Sequence, residues 1–224
     1  MRIAHGYLLG LMYRGDGKAA KALAKKLLAW CPADNLGVRL LMGDISLMTG
    51  DTQSARKSYL KEATDSPAHW YQAGQIAFRE GDFVSACTYL RRGIAANPYI
   101  EKGLTGRTKM NEHLYWHASN RNGPEWAIDY LRAPVCDWMP QEIDFVDWVF
   151  NSSAVLRERA SLMEQHEGLT YERDAARREP LALRSSYFVD ELTDDLSVVM
   201  VKKIQHRYCV EIWPWERAGF TRVR

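Results

Sequence analysis

His113 and His117 stand four residues apart, with Glu112 beside the first of them. On a helix that spacing puts both imidazoles on one face, which is part of what a metal site needs. The order is not the His-Glu-x-x-His of zinc hydrolases, because the carboxylate precedes both rings, and the sequence assigns no third ligand. Packing beside Tyr115 and Trp116 accounts for the same residues, and it is the reading adopted: no metal and no cofactor are expected. Nucleophilic chemistry has less to stand on. There is no Gly-x-Ser-x-Gly stretch, and no cysteine sits in a nucleophile context. Every glycine belongs to a helix turn or an irregular link, so no phosphate-cradling loop is present. The pair Asp194-Asp195 reads as surface charge. No catalytic residue is assigned, and the chain is not read as an enzyme.

The remaining chemistry is that of surfaces. Cys31, Cys87, Cys136 and Cys209 are scattered without close pairs, as free buried thiols in a reducing compartment would be. Thirty basic and 28 acidic side chains leave a formal charge of +2, which neither demands nor excludes nucleic acid. Two basic patches stand out: Arg14, Lys18, Lys21, Lys25 and Lys26 near one helix, and Arg217, Arg222 and Arg224 among Trp213, Trp215 and Phe220. Arginine beside aromatic rings suits single-stranded nucleic acid, and a nucleic-acid-associated regulator is the alternative reading. Ordinary protein surfaces carry the same mixture. The apolar stretch from Tyr7 to Tyr13 is broken by Gly10 and is too short to cross a bilayer. Nothing later approaches twenty apolar residues in a row, so no membrane partner and a cytoplasmic location are expected.

The elements that position these side chains repeat. Glycine, alanine five residues on, and proline twelve further recur as Gly15, Ala20, Pro32; Gly50, Ala55, Pro67; and Gly81, Ala86, Pro98. Asp16, Asp51 and Asp82 follow the glycines, and the steps are 35 and 31 residues. Glycine can take the left-handed conformation that ends one helix, and the aspartate can cap the next. The alanine suits a close helix approach, and the proline cannot continue the second helix but can open another. Gly43 and Gly74 add a second small contact seven residues before the turn, where the first unit has Leu8. Apolar spacing is helical throughout: Leu36, Leu40, Leu41, Ile45, Leu47 and Met48 answer Ala55, Tyr59 and Ala63, and Trp70, Ala73, Ala77 and Phe78 answer Cys87, Leu90 and Ile94. An isolated pair could not bury such faces, but stacked pairs can.

This pattern resembles the tetratricopeptide repeat over residues 1–98, with the helix from Pro98 to about Leu104 as its solvating continuation. The strings Asp34-Asn35-Leu36-Gly37-Val38-Arg39, Ala96-Asn97-Pro98-Tyr99-Ile100 and Tyr115-Trp116-His117 are similar to bacterial tetratricopeptide proteins related to the suppression-of-tumorigenicity group. The resemblance implies a mainly α fold, a right-handed α-α superhelix of three helix pairs over residues 1–104. It also implies that the first helix of each pair lines a concave groove. On this chain that face carries His5, Leu9 and Met12, then Leu40, Asp44 and Leu47, then Tyr71, Gln75 and Phe78. Chaperone-binding relatives clamp a terminal carboxylate with a Lys-Asn-Asn-Lys-Arg set, which is missing here. An apolar, aromatic groove with sparse polar points is expected instead, covered by a partner helix or peptide, by a second copy in a homodimer, or by the chain's own C-terminal half. The expected function is that of an interaction scaffold or adaptor. Because Met1 falls almost at the start of the first helix, either the native chain begins earlier or self-association covers that end.

Residues 105–195 read as a helical extension: irregular from Thr105 to Gly123, then helices over Glu125–Leu131, Glu142–Phe150 and Ala154–Glu167, the last capped from Asn151-Ser152-Ser153, and a charged helix over Glu172–Glu179. The end, 196–224, reads as a β-hairpin and tail. Leu196–Ile204 and Arg207–Trp213 are its expected strands, joined near Gln205 and His206 and packed on the helices or on a partner.

Overall fold

The computed structural model describes residues 1–107, 123–133, 135–205 and 210–216. Its first hundred residues form three helix pairs: α1 (Arg2–Tyr13) with α2 (Gly17–Trp30), α3 (Val38–Met48) with α4 (Thr52–Glu62), and α5 (Pro67–Arg79) with α6 (Phe83–Ala96). Successive helices pack on one another from α1 through α6. The repeated residues do what their chemistry suggests. Gly15, Gly50 and Gly81 have φ of 77°, 76° and 79°, the left-handed region that costs a side chain strain. Asp16, Asp51 and Asp82 then accept hydrogen bonds from the backbone N–H of Ala19, Ser54 and Ser85, each at 3.1 Å.

Asp51 and Asp82 also face the preceding unit. Lys21 Nζ lies 3.5 Å from Asp51, and Arg56 reaches both Asp82, at 3.1 Å, and Glu80, at 2.7 Å. Lys21 and Arg56 occupy the same place in their repeats, six residues after the glycine. The third unit has Cys87 there, fully buried.

Small residues set the helix spacing. Ala20, Ala55 and Ala86 are all completely buried. A Cβ on Gly43 would stand 2.2 Å from the Tyr59 ring, and one on Gly74 would stand 3.0 Å from Leu90. The first unit reverses the sizes: Leu8 replaces the glycine and Ala24 replaces the large partner, both with no exposure in one buried cluster. Pro67 opens α5 at its first turn, and Pro98 opens α7 (Pro98–Leu104). Pro32 departs from that rule. It begins a loop in which Asp34, at φ 49°, takes over the start of α3 by accepting from the N–H groups of Val38 and Arg39, both at 2.8 Å.

The extension is helical, as expected: α8 (Pro124–Arg132), α9 (Pro140–Asn151), α10 (Ser153–Tyr171) and α11 (Ala175–Tyr187). Ser152 caps α10 through Val155 N–H at 3.3 Å. The valine-rich segment corrects the sequence reading: Leu196–Ile204 is not a strand but mainly helix α12 (Asp194–Met200). Asp194 and Asp195 in its first turn favour the helix dipole. Ser197, fully buried on α12, meets Thr88 Oγ1 at 2.7 Å and Arg91 at 2.9 Å on α6. Against those terms the helical penalty of valine is only a few tenths of a kcal/mol per residue. Sheet is reduced to β1 (Ile204–Gln205) and β2 (Glu211–Ile212), antiparallel, with Ile204 opposite Ile212. Residues 206–209, the expected hairpin turn and the start of its second strand, lie outside the described residues.

The C-terminal residues do pack on the helices. Trp215, in the 3-10 turn Pro214–Glu216, has its ring centroid 4.7 Å from Phe145, 5.0 Å from Phe83 and 6.3 Å from Phe78. One core thus joins α5, α6, α9 and the chain's last described residues. No helix among the described residues is long and apolar enough to cross a membrane.

Candidate binding cleft

The first helices of the three pairs put one face each toward a common cleft. α1 contributes His5, Leu9, Met12 and Tyr13, spaced as one face of a helix. α3 contributes Leu40, Leu41, Asp44, Leu47 and Met48, and α5 contributes His69, Gln72, Gln75 and Arg79. The opposite wall comes from the extension: Trp126, Asp129 and Tyr130 on α8, then Ala133, Val135 and Asp137 in the connection to α9. The space divides into two adjoining chambers of about 350 and 640 Å³, which share Leu9, Leu41, Asp44, Ala133 and Val135. A smaller chamber of about 270 Å³ adjoins at Leu40 and Trp126, rimmed by Asp34, Arg39, Glu62 and Asp65.

Seven of the nine residues expected to face a groove line these chambers: His5, Leu9, Met12, Leu40, Asp44, Leu47 and Gln75. Tyr71 and Phe78 do not. Tyr71 has no exposure, lies across Gly93, and donates its hydroxyl to the carbonyl of Asn97 at 2.9 Å. Phe78 packs against Phe83 and Phe145, with ring centroids at 5.3 and 4.9 Å. Both are core residues: α6 and its end cover Tyr71, while Phe83 of α6 and Phe145 of α9 cover Phe78. His113 and His117 lie outside the described residues.

Comparison with protein-family models, curated proteins and solved structures finds no match to this chain.

The far end of the cleft is closed by a buried carboxylate. Glu142, 3% exposed, accepts from Gln75 Nε2 at 2.9 Å, from Arg79 Nε at 2.6 Å and from its own helix start at Met139 N–H, 2.9 Å. Gln75 and Arg79 also donate to the Asp137 carbonyl, each at 2.6 Å. This network ties the third helix pair to the extension.

The floor is polar. The Tyr59 hydroxyl donates to Asp44 Oδ1 at 2.6 Å. Burial pushes the Asp44 carboxyl up to about 6, against the lowering effect of that hydrogen bond. Burial likewise lowers His69 to about 4, partly offset by hydrogen bonding to the backbone of Leu40 and Glu62, so its ring is neutral near pH 7. Gln72 is only 1% exposed, yet neither its Nε2 nor its Oε1 has a hydrogen-bond partner among the described residues. These polar groups of α5 and the α8 wall were absent from the sequence-based site. The only sequence signal for the former was the run His69, Gln72, Gln75, polar at every third position of an otherwise apolar helix.

The basic patches have more ordinary surroundings. Lys18, Lys25 and Lys26 are exposed and Lys21 pairs with Asp51, while Arg217, Arg222 and Arg224 lie outside the described residues.

Proposed function

We propose that this chain is a tetratricopeptide-like interaction protein that holds a peptide segment of a partner in the cleft between its helix pairs and its C-terminal extension. The observation that carries the reading is the cleft itself. Leu9, Leu40, Leu41 and Leu47 offer apolar surface to a concave space, and a few polar groups converge on its floor, which is how sites for partly apolar ligands are built. The recurring glycine turn, aspartate cap and buried alanine support the tetratricopeptide likeness of the scaffold. An adaptor role in the cytoplasm fits this reading.

Leu9 provides the test, since it is 43% exposed and lines both chambers without belonging to a buried cluster. A displayed library of random peptides is selected on the wild-type chain. The enriched peptides are expected to lose at least about tenfold in affinity on Leu9→Arg, with helical circular dichroism unchanged. Equal binding to both proteins would overturn the proposal.

A further inference from the structure

The cleft carries a charge imbalance, and it is costly at Asp44, which is withdrawn from solvent while Asp129 and Asp137 are exposed. Asp44, Asp129 and Asp137 line the two larger chambers. Arg79 is the single arginine or lysine among their described lining residues, and it is committed to Glu142. Asp44 accepts from Tyr59, but no lysine or arginine among the described residues pairs with it. A carboxylate in such a place gains by meeting a cation, and the ligand is the natural source of one.

Gln72 adds an independent observation. A buried primary amide with both donor and acceptor unmet is rare, because each such group forfeits a hydrogen bond it would make in water. Gln72 is among the residues that line the first chamber, with Leu40, Leu41 and Asp44. A primary amide is the hydrogen-bonding complement of one extended residue: its N–H can donate to that residue's carbonyl while its oxygen accepts from that residue's N–H, the two pointing to the same side of the chain.

From His5 to Tyr13 the α1 face of the cleft runs for roughly 12 Å at 1.5 Å per residue. An extended segment of about four residues covers that length.

We propose that the cleft takes a short extended peptide in which a lysine or arginine head meets Asp44, the backbone N–H and C=O of one residue pair with the Gln72 carboxamide, and apolar neighbours rest on Leu9, Leu40 and Leu41. The proposal rests on the peptide-binding function above and names the chemistry of the peptide. It also sets this cleft apart from carboxylate-clamping grooves, since an acidic lining repels a free C-terminus.

Fluorescence polarisation with three labelled pentapeptides, Leu-Leu-X-Leu-Leu with X lysine, norleucine or glutamate, tests it on the full chain. The lysine peptide is expected to bind the wild type about tenfold more tightly than the norleucine peptide, and the glutamate peptide more weakly than either. Asp44→Asn should remove the lysine preference, whereas Gln72→Leu should weaken lysine and norleucine peptides alike. Norleucine or glutamate binding the wild type as tightly as lysine would overturn the cation requirement while leaving peptide binding in place. So would a lysine preference that survives in Asp44→Asn. If none of the three binds at millimolar concentration, both this proposal and the peptide-binding function fall. The wild-type comparison decides the matter even if a variant fails to fold.

Discussion

The Tyr59 hydroxyl reaches Asp44 at 2.6 Å because the residue before Asp44 is a glycine. The Tyr59 ring occupies the space where a Gly43 side chain would stand, 2.2 Å from the nearest ring carbon. A residue of the repeat that first reads as a packing device thereby also places the partly buried hydrogen bond at the floor of the cleft.

That relationship predicts an asymmetry among glycine substitutions. Gly43→Ala forces the fully buried Tyr59 to move and should destabilise by about 2–3 kcal/mol, even though alanine is the better helix former. Gly15→Ala meets nothing within 4 Å and suffers only from φ of 77°, so its cost should be about 1 kcal/mol. Tyr59→Phe keeps the ring and should also cost about 1 kcal/mol. Urea denaturation of the three variants ranks them.

The cleft floor predicts a pH dependence with a definite sign. Asp44 is raised from 3.8 to about 6, so the folded state holds its proton more tightly than the unfolded state. The stability this contributes is complete below pH 3.8 and is lost as pH rises through 6. Asp44→Asn keeps an acceptor for Tyr59 and carries no charge. It should exceed the wild type by about 1–2 kcal/mol at pH 8 and match it near pH 4. His69 acts in the opposite sense: lowered from 6.5 to about 4, it contributes stability above 6.5 that is lost as pH falls toward 4. His69→Gln should flatten that acid limb. Thermal melts from pH 4 to 8 record both effects.

Glu142 predicts how firmly the extension is held. Removing its carboxylate leaves Gln75 and the half-exposed Arg79, which reach across from α5, with the Asp137 carbonyl as their remaining acceptor. Glu142→Ala should therefore destabilise by about 2 kcal/mol. It should also raise hydrogen exchange in α8 and α9 more than in α1 and α2, read by mass spectrometry.

The links between units predict a measurable coupling. A double-mutant cycle on Arg56 and Asp82 should give about 0.5–1 kcal/mol, since the Arg56 side chain is 23% exposed and Asp82 41%. The Lys21–Asp51 link, longer at 3.5 Å, should couple more weakly. Raising the salt concentration should diminish both.

What the sequence revealed was what short range determines. Gly50, Asp51 and Ala55 act within a few residues of one another, so spacing alone reads out the turn, the cap and the close approach. The faces of α1 and α3 were legible for the same reason, since Leu9 and Leu40 need no knowledge of what lies opposite. Tyr71 and Phe78 failed because the helical period gives a face but not its cover: Tyr71 is covered by Gly93 and Asn97, and Phe78 by Phe145 and Trp215, far along the chain. Asp129 and Val135 were missed for the converse reason: nothing local to α8 says that it closes a cleft on α1. The valines at 198 and 199 favoured strand locally, while the partners that hold α12 as a helix, Thr88 and Arg91, lie about a hundred residues earlier.

Cys87 gives the array a last member. Lys21 and Arg56 each offer a cation to the unit that follows, whereas the corresponding Cys87 is sealed under Ser197 and offers none. A fourth hairpin appended after α6 would find no ionic socket and would collide with α12. Anyone wishing to lengthen this protein should therefore splice a duplicate of the second unit between Glu62 and Pro67, where the outgoing and incoming valences match, and leave the terminal unit as the stop.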